Sequence, residues 1–192
     1  MPVMTADATT TMTNLLKAYE GEVNAHTRYV AFAIGAGGDG FHGVASLFRA
    51  AARAEQIHAT NHARVIKELG GQIKCEIQGV EVKTTLENLR TALAGETYEV
   101  ETMYPAFLKE AKTHRITAAI RTFNGALEAE KTHARLFGEA IALVEAGKSD
   151  TWIAAARTFY VCPVCGYTSD SPVEHDSCPV CKCAWKRFEA IQ

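Results

Sequence analysis

Two four-residue motifs constrain this chain more than any other feature: Glu55-Gln56-Ile57-His58 and Glu130-Lys131-Thr132-His133, each inside a long run of helix-forming residues. At about 100° per residue, positions i and i+3 share a helix face one turn apart, so each motif aims a carboxylate and an imidazole at one point. Groups of this kind facing the interior of a bundle need partners or a metal. The matching acids are Glu22 on a first helical stretch and Glu96-Thr97-Tyr98-Glu99 on a third.

Stretches rich in Ala, Leu and Glu predict four helices, over about residues 7–34, 41–69, 84–112 and 115–145. Gly35-Ala36-Gly37-Gly38, Gly70-Gly71 and Gly147 punctuate them, and Thr84 or Thr85 is the expected cap of the third. The first and third connections are short, which makes antiparallel hairpins. The second, from Gly70 to Lys83, is longer; about 14 residues at up to ~3.3 Å each reach ~45 Å. A helix of about 28 residues is ~42 Å long. This connection therefore crosses the whole bundle and lets the third helix run parallel to the second. The expected fold is an all-α four-helix bundle of ferritin-like topology with one long crossover. Pro105 is expected to kink the third helix near Glu101.

One Glu from each of two helices plus Glu-x-x-His from the other two is the ligand set of di-iron carboxylate bundles. Here that set is Glu22, Glu55, His58, Glu96, Glu130 and His133. Hard carboxylates with two imidazoles suit iron or manganese, with zinc as the inert alternative. Four carboxylates balance two ferrous ions, and oxidation leaves an excess of positive charge that a fifth carboxylate, Glu99, is placed to offset. His26 and His62 each lie one turn from a member of this set and are expected behind it or partly in solvent.

Five of the six cysteines lie between Cys162 and Cys183. Disulfide frameworks spread through a small secreted domain, whereas clustering at one end of a long chain favours metal. Cys162-Pro163-Val164-Cys165 and Cys178-Pro179-Val180-Cys181 are two CxxC knuckles, and together they offer a tetrahedral thiolate site for iron or zinc. Cys183 competes with Cys181 for the fourth position, and knuckle geometry favours Cys181. His175 is expected on a polar loop, and Cys75 as a small buried residue in the crossover. The expected units are a bundle over 1–147, a linker over 148–158 and a four-cysteine domain over 159–192.

With 47% apolar residues and a net charge of −2, the chain has ordinary globular composition and no electrostatic case for nucleic acid or anionic membrane. The apolar stretch near residues 29–38 is too short to span a bilayer, and residues 1–13 lack a signal-peptide pattern. A cytoplasmic location is the expectation. Two overlapping GxGxxG strings, Gly35 to Gly40 and Gly38 to Gly43, follow a helical stretch rather than a strand, so no nicotinamide-nucleotide fingerprint is expected.

The chain resembles the rubrerythrin branch of the ferritin-like superfamily. The resemblance rests on Gly21-Glu22 with Arg28-Tyr29, Ala54-Glu55-Gln56-Ile57-His58, Glu96-Thr97-Tyr98-Glu99 followed by Met103-Tyr104-Pro105, and Glu130-Lys131-Thr132-His133. It favours Glu22 over the nearby Glu20, because Glu22 follows Gly21 and precedes Tyr29 by seven residues. It implies that Glu55 and Glu130 bridge two irons, that Glu99 and His58 exchange at one iron with oxidation state, and that Tyr29 and Tyr104 hydrogen-bond ligand carboxylates. The tail is similar to the rubredoxin-like domain of that family, with Tyr160, Tyr167, Trp185 and Phe188 as its small core and iron in its thiolate site. The function implied is reduction of hydrogen peroxide to water. Electrons would come from NAD(P)H through a separate reductase or rubredoxin and be relayed by the tail iron.

His133 lies ~20 Å along the axis from the end of its helix, so the two metal sites of one chain are expected to be too far apart for rapid electron transfer unless the tail folds back. A head-to-tail homodimer is the expected remedy. Alternative readings are a ferroxidase or oxygen-reducing iron-handling protein, an electron carrier without peroxidase activity, and a non-catalytic zinc-binding adaptor.

Overall fold

The structure, a computed structural model, describes residues 6–147, 154–172 and 176–192; His175 and most of the expected linker lie outside these. Helix α1 spans Ala6–Gly38 and α2 spans His42–Glu68. Helix α3 (Thr85–Tyr98) continues through a π-helical turn, Glu99–Met103, into α4 (Tyr104–Thr113), and α5 covers Thr117–Glu145. Among the described residues no helix is long and apolar enough to cross a membrane.

The first helix runs past the expected residue 34 and ends at the last glycine of the cluster, Gly38. Helix α1 continues to Gly38 because Gly40 alone takes the left-handed conformation (φ 83°) that closes the end. The Phe41 N–H reaches the Ala36 carbonyl at 2.8 Å and the Gly40 N–H reaches Gly37 at 3.2 Å, the paired bonds of a Schellman cap. Arg115 plays the part of Gly40 after α4, with φ 55°, so α5 begins at Thr117 rather than at Arg115.

The segment from Gly70 to Thr84 runs along α1 as an extended strap. At one end a Cβ on Gly71 would collide with Met12, and at the other a Cβ on Gly35 would lie 2.9 Å from Val82 Cγ1. Asn24 pins the middle, donating to the Glu76 carbonyl at 3.0 Å and accepting from the Gln78 N–H at 2.8 Å. Helix α3 therefore starts beside the N-terminal end of α2 and runs parallel to it. Thr85 Oγ1 donates to Asp39 at 2.8 Å there. Pro105 neither breaks nor simply kinks the third rod. Its missing N–H and bulky ring disfavour the regular bond to Glu101, and the chain widens into the π turn, in which the Tyr104 N–H bonds to the Glu99 carbonyl.

Apolar packing is split into two plugs. At one end Tyr29, Phe48 and Phe137 stack with ring centroids 5.4–6.0 Å apart. At the other, Tyr104, Phe107 and Phe123 pack at 5.5–6.4 Å. The acidic faces lie between them.

The tail forms a three-stranded antiparallel sheet in the order β2-β1-β3, from β1 (Phe159–Val161), β2 (Thr168–Ser169) and β3 (Glu189–Ile191). Tyr160, Trp185 and Phe188 pack beside it, with centroids 5.1 and 4.4 Å apart. Phe159 and Val161, on one face of β1, are buried in the bundle's own core. A tail this small cannot bury an apolar face alone, and it folds back onto α2 and α5. Arg53 on α2 grips Glu189 with two bonds of 2.6 and 2.8 Å, and Asn61 donates to the Val164 carbonyl at 2.8 Å. The distance expected to separate the two metal sites of one chain is thereby removed.

Thr84 and Glu87 form a capping box at the start of α3, each side chain accepting from the other's backbone N–H. Thr84→Ala should cost about 1 kcal/mol of stability in urea denaturation, with metal content unchanged. A loss below the error of the measurement would contradict the assigned cap.

Candidate metal centres

Glu22 comes from α1, Glu55 and His58 from α2, Glu96 from α3, and Glu130 and His133 from α5, each no more than 1% exposed. Ligand atoms of Glu22, Glu55, His58 and Glu130 lie within 4.8 Å of one another, as do those of Glu55, Glu96, Glu130 and His133. Glu55 and Glu130 belong to both groups. His58 Nδ1 is 2.8 Å from Glu130 and 2.9 Å from Glu55; His133 Nδ1 is 2.7 Å from Glu130, 3.3 Å from Glu55 and 3.5 Å from Glu96.

These atoms are short of partners. Among the described residues, Glu22 Oε2, Glu55 Oε1, Glu96 Oε2, both Glu130 oxygens and His133 Nδ1 are buried without a hydrogen bond. Lone pairs facing one another in a dry interior are costly, and two cations satisfy them together. Burial, then the Glu55 and Glu130 charges, push the Glu96 carboxyl well above its ordinary range. Burial and the Glu130 charge raise Glu55. Burial works the same way on Glu22, but the neighbouring imidazoles of His58 and His62, 3.7 and 3.8 Å away, prevail and hold it low. Burial would depress His58 and His133, yet the Glu130 and Glu55 carboxylates drive them well up. Without metal, protons take the place of cations. The donor set fits two hard divalent ions such as iron.

Around this group, Tyr29 Oη donates to Glu96 at 2.5 Å and Tyr104 Oη donates to Glu22. Burial lifts both phenols well above their ordinary range. Glu99 stands on the π turn, outside both ligand groups; a Cβ on Gly21 would lie 4.0 Å from its Oε1. Burial and the Glu22 charge raise its pKa well above normal. Glu20 faces the strap, accepting from the Glu76 N–H at 3.1 Å. His26 donates to the Ala52 carbonyl at 2.7 Å and takes no part in the site. His62, by contrast, is fully buried, 3.0 Å from Tyr104 Oη and 2.9 Å from Thr122 Oγ1. Its spacing, four residues after His58, was the available signal; nothing in the sequence marked Thr122.

In the tail, Cys162, Cys165, Cys178 and Cys181 converge within 4.8 Å. The Sγ atoms of Cys162 and Cys181 are 3.5 Å apart and those of Cys165 and Cys178 are 3.6 Å apart. Cys183 turns away toward the Ala184 carbonyl. Each knuckle ends in a left-handed residue, Gly166 (φ 78°) and Lys182 (φ 62°). Hydrogen bonds from Cys162 and Cys165 hold the Cys178 thiol far below its ordinary range, as a thiolate.

The two sites meet. His58 Nε2 donates to the Cys165 carbonyl at 3.0 Å, and His133 Nε2 donates to Thr168 Oγ1 at 3.0 Å, which in turn donates to the Gly166 carbonyl. Both histidines thus carry their outer proton on Nε2 and present Nδ1 to the carboxylates, the tautomer that a metal requires. A Cβ on Gly166 would strike the His58 ring, so only glycine permits this approach.

Because Glu96 and both histidines have raised pKa values in the metal-free protein, binding a cation must expel their protons. Affinity should therefore weaken as pH falls. Calorimetric titration with ferrous ion in two buffers of different ionisation enthalpy should show net proton release and tighter binding at about pH 8 than at about pH 6. Binding without proton release would contradict the site chemistry.

The family profile for rubrerythrin matches residues 13–141. Rubrerythrin-2 of Clostridium acetobutylicum is 38% identical over 179 residues, covering 92% of this chain and 94% of that one. Nigerythrin of Nitratidesulfovibrio vulgaris is 34% identical, covering 93% of this chain and 87% of its own. A solved structure of nigerythrin in a mixed-valence state superposes with a TM-score of 0.83 at 30% identity, over 99% of this chain and 88% of that one. A Desulfovibrio desulfuricans bacterioferritin shares the bundle fold at 21% identity with a TM-score of 0.72. With its di-iron type carboxylate site and its rubredoxin-type cysteine cluster, the chain belongs to the rubrerythrin family.

Proposed function

We propose that this protein is a non-haem di-iron peroxidase that reduces hydrogen peroxide to water with electrons relayed through its tail. The observation that carries this reading is the hydrogen-bonded junction of His58 and His133 with the Cys165–Thr168 loop. It couples a one-electron thiolate site directly to a two-metal site. A ferroxidase that only takes up iron has little use for such a donor.

In this reading Glu22, Glu55, His58 and Glu130 would hold one iron and Glu55, Glu96, Glu130 and His133 the other, with Glu55 and Glu130 common to both groups. Cys162, Cys165, Cys178 and Cys181 hold one iron, a position that zinc would also fit. When bound, the ferrous pair supplies two electrons to the O–O bond. The protein's own groups do the rest. Tyr29 and Tyr104 fix the orientation of Glu96 and Glu22 through their phenolic protons. Glu99, kept protonated by burial and the neighbouring carboxylates, would give its proton to the reacting peroxide oxygen and, as a carboxylate, would offset the added positive charge. The aromatic plugs exclude water at both ends.

The electron donor on this reading is rubredoxin or an NAD(P)H-dependent reductase, since the GxGxxG strings between Gly35 and Gly43 join two helices rather than a strand and a helix. A head-to-tail homodimer is compatible with the same chemistry, because tails exchanged between two bundles make the same hydrogen bonds. Neither nucleic acid nor membrane is expected as a partner.

Fully reduced protein, mixed anaerobically with peroxide and in parallel with dissolved oxygen, should regain its ferric-thiolate colour quickly with peroxide and slowly with oxygen. A preference for oxygen would move the assignment to an oxidase or ferroxidase. A protein that never colours would place zinc in the tail. Glu99→Ala should slow peroxide turnover by roughly ten- to a hundredfold, in the usual range for loss of a positioned acid–base group, while leaving the tail colour intact.

A further inference from the structure

We propose that the cleft between bundle and tail binds a flavin phosphate, with the flat ring of flavin mononucleotide against the cysteine knuckles and its phosphate on Arg121 and Arg64. The cleft has a volume of about 460 Å³, within the roughly 300–1,000 Å³ of small-molecule sites. Its chemistry is divided. Ile120 of α5 and Val164 and Val180 of the two knuckles give it apolar walls, and Val164 is 40% exposed. Arg64 and Arg121 are among its lining residues, and no carboxylate is. Arg64 shares its charge with Glu68 at 2.7 Å. Arg121 and Asn124, both exposed, have no hydrogen-bond or ion-pair partner among the described residues. An unspent guanidinium beside an amide is a donor set for phosphate oxygens.

Position narrows the ligand further. Cys165 and Cys181 belong to the same lining. At Gly125 a Cβ on α5 would lie 3.6 Å from Cys165 Cβ, so the thiolate loop itself closes the back of the cleft. A ring seated there lies against two of the four cysteines of the tail site. Redox carriers meet that position differently. A nicotinamide surrenders its electrons together as hydride, which a one-electron thiolate site does not accept. A quinone passes single electrons but brings no anion for the guanidinium. A flavin phosphate meets both conditions. One reduced flavin carries two electrons and two protons. Two tail sites, each reduced by one electron, return it to the oxidised ring, and both protons go to water. A nicotinamide-dependent reductase would then serve this protein by producing reduced flavin. The donor role rests on the reading of the tail as an electron relay; binding itself does not.

The zinc-loaded full chain separates binding from electron transfer. Flavin mononucleotide titrated with it should gain fluorescence anisotropy, and riboflavin, which lacks the phosphate, should bind at least about tenfold more weakly. Arg121→Glu should remove that preference with zinc content unchanged, and Arg121→Lys, which keeps the charge but not the planar fork, should retain part of it. In the iron-loaded full chain, reduced flavin mononucleotide added anaerobically should bleach the ferric-thiolate colour at a rate that saturates with flavin. At low flavin that rate should fall about tenfold in Arg121→Glu, while reduced riboflavin bleaches both proteins alike. No rise in anisotropy at millimolar flavin, or equal affinity of the wild type for both flavins, would overturn the site. Binding without bleaching would overturn the donor role. A protein whose tail flavin reduces but whose bundle peroxide fails to reoxidise would instead overturn the peroxidase reading and leave the site standing.

Discussion

Mutual repulsion among buried carboxylates is the constraint on which the rest of this structure depends. Glu22, Glu55, Glu96 and Glu130 meet with two histidines in an interior sealed at both ends by aromatic rings. A dry interior makes uncompensated charge expensive, and the metal-free protein answers with raised pKa values at Glu55, Glu96 and Glu99. Two cations answer the same problem by supplying the positive charge that protons supply in their absence. The long rods, the strap that runs the length of α1 and the capped ends hold four carboxylates where they would not otherwise stay.

The tail is the second consequence of that site. Histidines that present Nδ1 inward must place Nε2–H somewhere, and here both find acceptors on the tail rather than in solvent. The same contact is reinforced by shared apolar burial of Phe159 and Val161 and by the Arg53–Glu189 pair. Both members of that pair are about one-third exposed, so it positions the tail more than it stabilises it. Docking, tautomer choice and the contact between the thiolate loop and the imidazoles are therefore one arrangement.

Much of this was legible in sequence because it is written in fixed spacings. The Glu-x-x-His pairs follow from helical periodicity, the knuckles from CxxC spacing, and the parallel third helix from the length of the strap. What escaped was whatever depends on contacts between elements. The glycines of α1 marked where it stops, but the residue that takes the left-handed turn, Gly40, lies just beyond them. Pro105 signalled a disturbance, but whether a proline yields a kink or a π turn is settled by the packing around Tyr104. The tail's return onto α2 turns on two alternate residues in a three-residue strand and on a glycine, Gly166, that looks like any knuckle glycine. Thr122 and Thr168 matter only through what they touch.

The proposed route for electrons between the two sites is the Cys165–Gly166 carbonyl loop, pressed against His58. It is tested most directly by Gly166→Ala, whose Cβ would strike the His58 ring and whose backbone is strained at φ 78°. After a substoichiometric pulse of peroxide to the reduced protein, oxidation of the tail should lag oxidation of the bundle by at least tenfold relative to wild type, with both metal sites filled. Equal rates in the two proteins would contradict the account.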